Sequence, residues 1–157
     1  MNLRVDVQAA TSEPVPEEGD IRSWIEAVLS MRREDAELTV RLVDVAEMAE
    51  LNQSYRGRPG ATNVLSFPAD LPADVTLPLL GDIVICAPIV AREASAQHKA
   101  QIAHWAHMTI HGTLHLLGYD HLVEEEAVAM EVLETEILAR LNYPCPYAES
   151  PPVEQSQ

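Results

Sequence analysis

A stretch of chain that is apolar nearly all round a helix is not suited to a surface, and residues 100–117 are such a stretch. Ala100 to Leu117 reads as one helix stopped at Gly118, and an all-round apolar helix belongs at the centre of a fold. The rest of the chain must supply its cover. Leu3, Val5 and Val7 alternate with polar residues, as do Leu38, Val40 and Leu42, which is the period of half-buried strands. Asn63–Phe67 and Asp82–Cys86 are short apolar runs bounded by Pro and Gly, also read as strands. Ile21, Trp24, Ile25, Val28 and Leu29 follow helical spacing, and so do Ala127, Met130, Leu133, Ile137 and Leu141 in a long acidic segment. Asp44 with Glu47 resembles a capping box opening a helix to about Ser54, and Pro88 suits the first turn of a helix through about Gln97. The expected class is α+β, a small mixed sheet packed with helices. Residues 1–142 are expected to form a single domain, and 143–157 a Pro-rich tail disordered beyond about Tyr147.

All six histidines fall between His98 and His121. From His111 the chain reads HGTLHLLGYDH, that is H-x-x-x-H-x-x-G-x-x-H. His111 and His115 lie on one helix face, about 6 Å apart along the axis. Gly118 can take the left-handed conformation that ends the helix, so that His121 returns to the same point from outside. Three neutral imidazoles with a fourth position left for water describe an open zinc site. His104 and His107 share that face, but His107 is about 12 Å from His115 along the axis, too far to share an ion. They are expected to stand beside the ligands, facing substrate or serving the core.

The spacing matches the zinc-binding pattern of metzincin proteases, H-E-x-x-H-x-x-G-x-x-H. Gly112 stands where those enzymes carry the Glu that acts as general base, which demotes peptidase chemistry to an alternative. A second cue points elsewhere. Arg56 and Arg58 lie in the Gly/Pro-rich stretch YRGRPG, and guanidinium forks match phosphate oxygens bidentately. Beside a metal, they make a phosphodiester an attractive substrate.

The formal net charge of −15 argues against simple electrostatic binding of DNA or an anionic membrane. The charge is unevenly placed, however. Residues 1–50 hold 12 acids and 5 bases, residues 122–157 hold 8 and 1, and residues 51–121 hold 5 and 4. The segment with the histidines and the two arginines is nearly neutral between acidic flanks. No signal peptide or run of about 18 apolar residues is visible. Cys86 and Cys145 sit in contexts that make a bridge improbable, so a reduced, cytoplasmic protein is expected.

LNQSYRGRPGATNVLSFP (51–68), LLGDIVIC (79–86) and HMTIHGTLHLLGYDH (107–121) together resemble the bacterial YbeY family, in order and spacing across most of residues 40–142. The resemblance implies a zincin-like α+β fold with a small mixed sheet beside a central helix bearing the first two histidines. It implies a single-strand-specific, metal-dependent endoribonuclease acting in ribosomal RNA maturation, notably at the small-subunit 3′ end, and in ribosome quality control. Zn2+ ligands carry over to His111, His115 and His121, and the functionally important arginine to Arg56, with Arg58 at a commonly basic position. Many members have Asp where Asn63 stands, which puts a charged role there in question. The implied partners are ribosomal RNA and the small ribosomal subunit or its associated proteins, with no DNA.

On this reading Arg56 stabilises charge on the scissile phosphate. His107 is the candidate general base, and Asp120 or Asp82 is placed to orient a ligand imidazole. Water and the RNA 2′-hydroxyl both remain open as nucleophile. Three imidazoles suit zinc best, with nickel, copper or iron able to take the same site. The alternatives are a zincin-type hydrolase of another substrate such as peptide, and a ribosome-assembly binding protein with a structural zinc.

Overall fold

The structure, a computed structural model, describes residues 2–30, 35–69, 78–119 and 124–147. The alternating segments become β1 (Asn2–Ala10) and β2 (Asp35–Val43), and the short apolar runs become β3 (Val64–Pro68) and β4 (Leu79–Cys86). They form one mixed sheet in the order β1-β2-β4-β3. The first two pairings are parallel, and β3 runs antiparallel to β4 at the edge. The helices are α1 (Glu18–Leu29), α2 (Val45–Arg56), α3 (Ala87–Ala96), α4 (Gln101–Leu116) and α5 (Glu124–Arg140). This is the expected α+β, zincin-like arrangement, with the histidine helix at its centre.

Helix α4 packs on β3 and β4 on one side and against α1, α3 and α5 on the others. Ile110 and Leu114 are fully buried in the main core with Ile83 and Ile85 of β4 and with Ile21, Ile25 and Val28 of α1. Burying each such side chain contributes about 1.5–3 kcal/mol, so α4 is held by the core rather than by its ends. The other sheet face carries a smaller cluster of Val43, Met48, Leu65, Val84 and Cys86 under α2.

Helix α2 begins where Asp44 and Glu47 predict, but the reciprocal capping box does not form. Asp44 makes no side-chain cap bond and instead accepts from the Thr11 hydroxyl. Glu47 pairs with Arg41 at 2.6 Å. At the other end Gly57 takes φ +66° and closes α2 with its N–H on Gln53. Gly81, at φ +136°, is fixed by packing, because a Cβ there would lie 2.1 Å from the Phe67 carbonyl oxygen. Cys86 is buried and Cys145 exposed, both free. Among the described residues no helix is long and apolar enough to cross a membrane.

Candidate metal centre

Helix α4 presents His104, His107, His111 and His115 as one row, with successive ring centroids 6.0, 6.2 and 4.5 Å apart. The helix ends as the sequence predicts. Gly118 takes φ +103°, and the turn it allows brings the Tyr119 carbonyl oxygen to 2.9 Å from His115 Nδ1. His111 Nδ1 lies 2.5 Å from Glu134 Oε2. His107 Nε2 lies 2.8 Å from Glu134 Oε1, which also accepts from the Tyr147 hydroxyl.

Glu134 is wholly buried in α5. Burial alone would raise its pKa, but the hydrogen bonds from His107 and His111 outweigh it and hold the carboxyl down at about 2. An ionised carboxylate has no proton to give, so the ring nitrogens facing it carry theirs. The same logic applies to His115, whose Nδ1–H donates to a carbonyl. In the neutral imidazoles this leaves the lone pairs of His111 and His115 on Nε2. Those two Nε2 atoms face each other at 3.0 Å. Two lone pairs aimed at one point repel unless a proton or a metal cation sits between them, and the anchored far nitrogens are the usual supports of metal-binding imidazoles.

His107, His111 and Glu134 also bring one ligand-type atom each within 4.8 Å of one another, so this region is metal-competent by more than one grouping. The Glu134 contacts at 2.5 and 2.8 Å are hydrogen bonds. The donor chemistry therefore fits an ion at the His111–His115 pair, with Glu134 behind it.

His121 and Asp120 lie outside the described residues. Arg56, the last residue of α2, lines the same cleft of 730 Å³ as His111 and His115, walled by Val64, Ser66 and Pro68 of the sheet's edge strand. Arg58 is exposed beyond αL Gly57 and does not line that cleft. His107, the general-base candidate, sits back from that cleft. The residue is only 6% exposed, one nitrogen is committed to Glu134, and the other is buried without a partner among the described residues. Neither nitrogen opens to the cleft. Asp82 does not orient an imidazole either. Ile83 and Ile85 face α4, so Asp82 projects from the opposite face, into a hollow with Arg41, Tyr55 and Phe67.

The position that would carry a peptidase base is filled by the sheet. A Cβ on Gly112 would lie 2.8 Å from Ile83 Cγ2 and 3.3 Å from Ser66 Oγ, and Ser66 Oγ donates to the Gly112 carbonyl at 2.9 Å. Gly112→Glu is expected to destabilise the fold by at least about 1–3 kcal/mol through overpacking alone, read as a lowered denaturant midpoint, and not to create peptidase activity.

Asn63 has its own partner. Its amide donates to Glu93 at 3.2 and 3.3 Å, and its carbonyl accepts the Val64 N–H at 2.7 Å. An ionised Asp could not do both, so Asn63 here tethers β3 to α3 through Glu93. Glu93 Oε1 also takes His104 Nε2 at 2.9 Å. Burial pushes the His104 pKa below 6.5, with Glu93 working against that shift. An imidazole that resists protonation when folded contributes stability above about pH 6.5, lost as pH falls through its lowered folded value. Stability is thus expected to fall on acidification below about pH 6.5, less steeply in His104→Gln; equal slopes in denaturant melts would refute this.

Glu134 is the residue that the sequence reading missed. The signal was present: it lies four residues after Met130 and three before Ile137, inside the apolar stripe of an otherwise outward-facing acidic helix.

A family model described as endoribonuclease YbeY matches residues 6–142. Endoribonuclease YbeY of Pseudomonas entomophila (strain L48) is 56% identical over 148 residues, 94% of each chain. That of Pseudomonas putida (strain W619) is 55% identical over the same share. The solution structure of TM1509 from Thermotoga maritima superposes with a TM-score of 0.58 at 27% identity, covering 98% of this chain and 99% of the other.

Proposed function

The chain belongs to the endoribonuclease YbeY family, and from that membership we propose a metal-dependent endoribonuclease that cuts single-stranded RNA during ribosomal RNA maturation, including the small-subunit 3′ end, and in ribosome quality control. The observation that carries the reading is the convergence of two lone-pair-bearing Nε2 atoms, 3.0 Å apart, in the cleft that Arg56 also lines. His111, His115 and, from its spacing, His121 would hold one Zn2+ per chain. When bound, such an ion supplies Lewis-acid charge for a phosphate oxygen and lowers the pKa of a water or hydroxyl nucleophile.

The protein's own groups do the remainder. Glu134 keeps the His111 proton on Nδ1, and the Tyr119 carbonyl keeps that of His115 on Nδ1. The Arg56 guanidinium binds the phosphate and stabilises charge that grows on its oxygens. Arg58, outside the cleft, meets the backbone of the same strand further along. The β3 edge forms one wall and excludes water from one side of the scissile bond. The working location is the cytoplasm, with ribosomal RNA and the small subunit or its proteins as partners. A body of charge −15 makes affinity for free RNA weak and salt-sensitive, so partners supply the targeting.

The purified chain is expected to cut single-stranded but not duplex RNA, to stop on chelation, and to recover when Zn2+ is restored. Cutting that survives full chelation would contradict the proposal.

A further inference from the structure

A second cavity, of 480 Å³, lies beside the metal cleft and shares Asn63 with it. Its walls include Met108, Pro146 and the ring of Tyr147, flat or adaptable apolar surfaces of the kind that hold a planar ring. Its polar lining is a donor and an acceptor together. Glu93 is one-third exposed. Its Oε1 is taken by His104 and Asn63, but among the described residues its Oε2 accepts only one long bond of 3.3 Å, from Asn63. Lys99 Nζ gives one proton to the Pro146 carbonyl at 3.0 Å, out of the three that an ammonium carries. Burial lowers the Lys99 pKa and the Glu93 carboxylate opposes that shift, and both residues line this cavity.

One carboxylate and one ammonium cancel, so the cavity suits a neutral, dipolar edge rather than an ion. We infer that it is a nucleobase subsite, selective for guanine, serving a nucleotide adjacent to the phosphate in the metal cleft; the placement rests on the endoribonuclease reading. Guanine is the one common RNA base with a carbonyl oxygen beside two N–H donors on a single edge. The carbonyl meets Lys99, the two donors fork onto the remaining side of Glu93 Oε2, and the base lies against Tyr147. Bases drawn out of a strand are read in this way, by their pairing edge and by stacking. The connection to the cleft is direct. Asn63 borders both spaces, and the His107 ring of this cavity is 6.2 Å from that of His111. Tyr147 spends its hydroxyl on Glu134, so a base seated on its ring is tied to the carboxylate that orients His111.

The test uses the full chain with chelator present, so that binding is read without cleavage. Guanosine, adenosine, cytidine and uridine are titrated while the amide signals of Gln97, Lys99 and Tyr147 are followed by NMR. Guanosine is expected to shift these signals saturably, and the others to bind at least about tenfold more weakly, the value of one charge-assisted hydrogen bond. Lys99→Met, which keeps the apolar stem, is expected to lose the preference for guanosine, and Glu93→Gln to weaken its binding by a similar factor. The inference is overturned if all four nucleosides bind alike, if none moves these signals, or if Lys99→Met binds guanosine as the parent chain does. Guanosine binding by a chain that cuts no RNA would support the subsite and refute the nuclease reading. RNA cutting without guanosine binding would do the reverse.

Discussion

Glu134→Gln is expected to weaken Zn2+ binding by about 10–100-fold while leaving the fold in place. The present carboxylate accepts from His107 Nε2 on one oxygen and from His111 Nδ1 on the other. An amide has one accepting oxygen and one donating nitrogen. If the nitrogen faces His111, the imidazole moves its proton to Nε2 and loses the lone pair directed at His115. If it faces His107 instead, that buried ring must change tautomer, and the site keeps only part of its order. Glu134→Ala is expected to do worse, because it leaves two imidazole N–H groups and the Tyr147 hydroxyl without their acceptor. Each buried unsatisfied donor costs about 1–3 kcal/mol. Competition against a chelating dye measures the first effect, and denaturant melts of the metal-free chain measure the second. Metal affinity unchanged in Glu134→Gln would show that the carboxylate does not orient the site.

Arg56→Ala is expected to lower kcat by about 10²–10³-fold, the usual loss when one preorganised charge on a transition state is removed. Stability should hardly change, since Arg56 is exposed at the end of α2. The helix end itself is set by Gly57 at φ +66° and by the Asn52 amide donating to the Gly60 carbonyl at 2.9 Å, neither of which involves the guanidinium. Arg56→Lys should recover only part of the rate, because a point charge cannot make the two-pronged contact. A matched assay of Arg58→Ala separates the roles. A residue outside the cleft is expected to change substrate affinity and salt dependence more than kcat. Equal rates in Arg56→Ala and the parent chain would remove the arginine from the chemistry.

Much of this architecture was legible because periodicity reports burial. Leu38, Val40 and Leu42 could face one way only in a strand, and residues 100–117 could be satisfied only at the centre. The turn at Gly118 was legible for a similar reason, since a sharp helix stop favours the residue with the freest backbone. Features that depend on distant partners were not. Asp44 and Glu47 satisfy a local capping pattern, yet Thr11 and Arg41 claim their side chains. His107 looked available for proton transfer from its place in the row, and only the packing of α5 shows Glu134 holding one nitrogen. Asp82 sits one residue from the site-facing Ile83, and the two-residue period of a strand sends it to the other face of the sheet. Asn63 gains its meaning from Glu93, which is 30 residues away in sequence.

The charge of −15 is reconciled with an RNA substrate by the same spatial sorting. Most of the acids lie in the flanking segments, whereas the cleft is lined by imidazoles, one guanidinium and a strand edge. Glu134, ionised, is buried behind the metal-facing pair with its oxygens held by hydrogen bonds rather than exposed to a phosphate.

RNA cutting is proposed to depend on a metal held by the His111–His115 pair. Bound zinc and single-stranded RNA cleavage, measured together in the parent chain and in folded His115→Ala, test this. One zinc per parent chain is expected, with zinc and cleavage lost in step in the variant. A folded His115→Ala chain that cuts RNA at the parent rate without bound metal would contradict it.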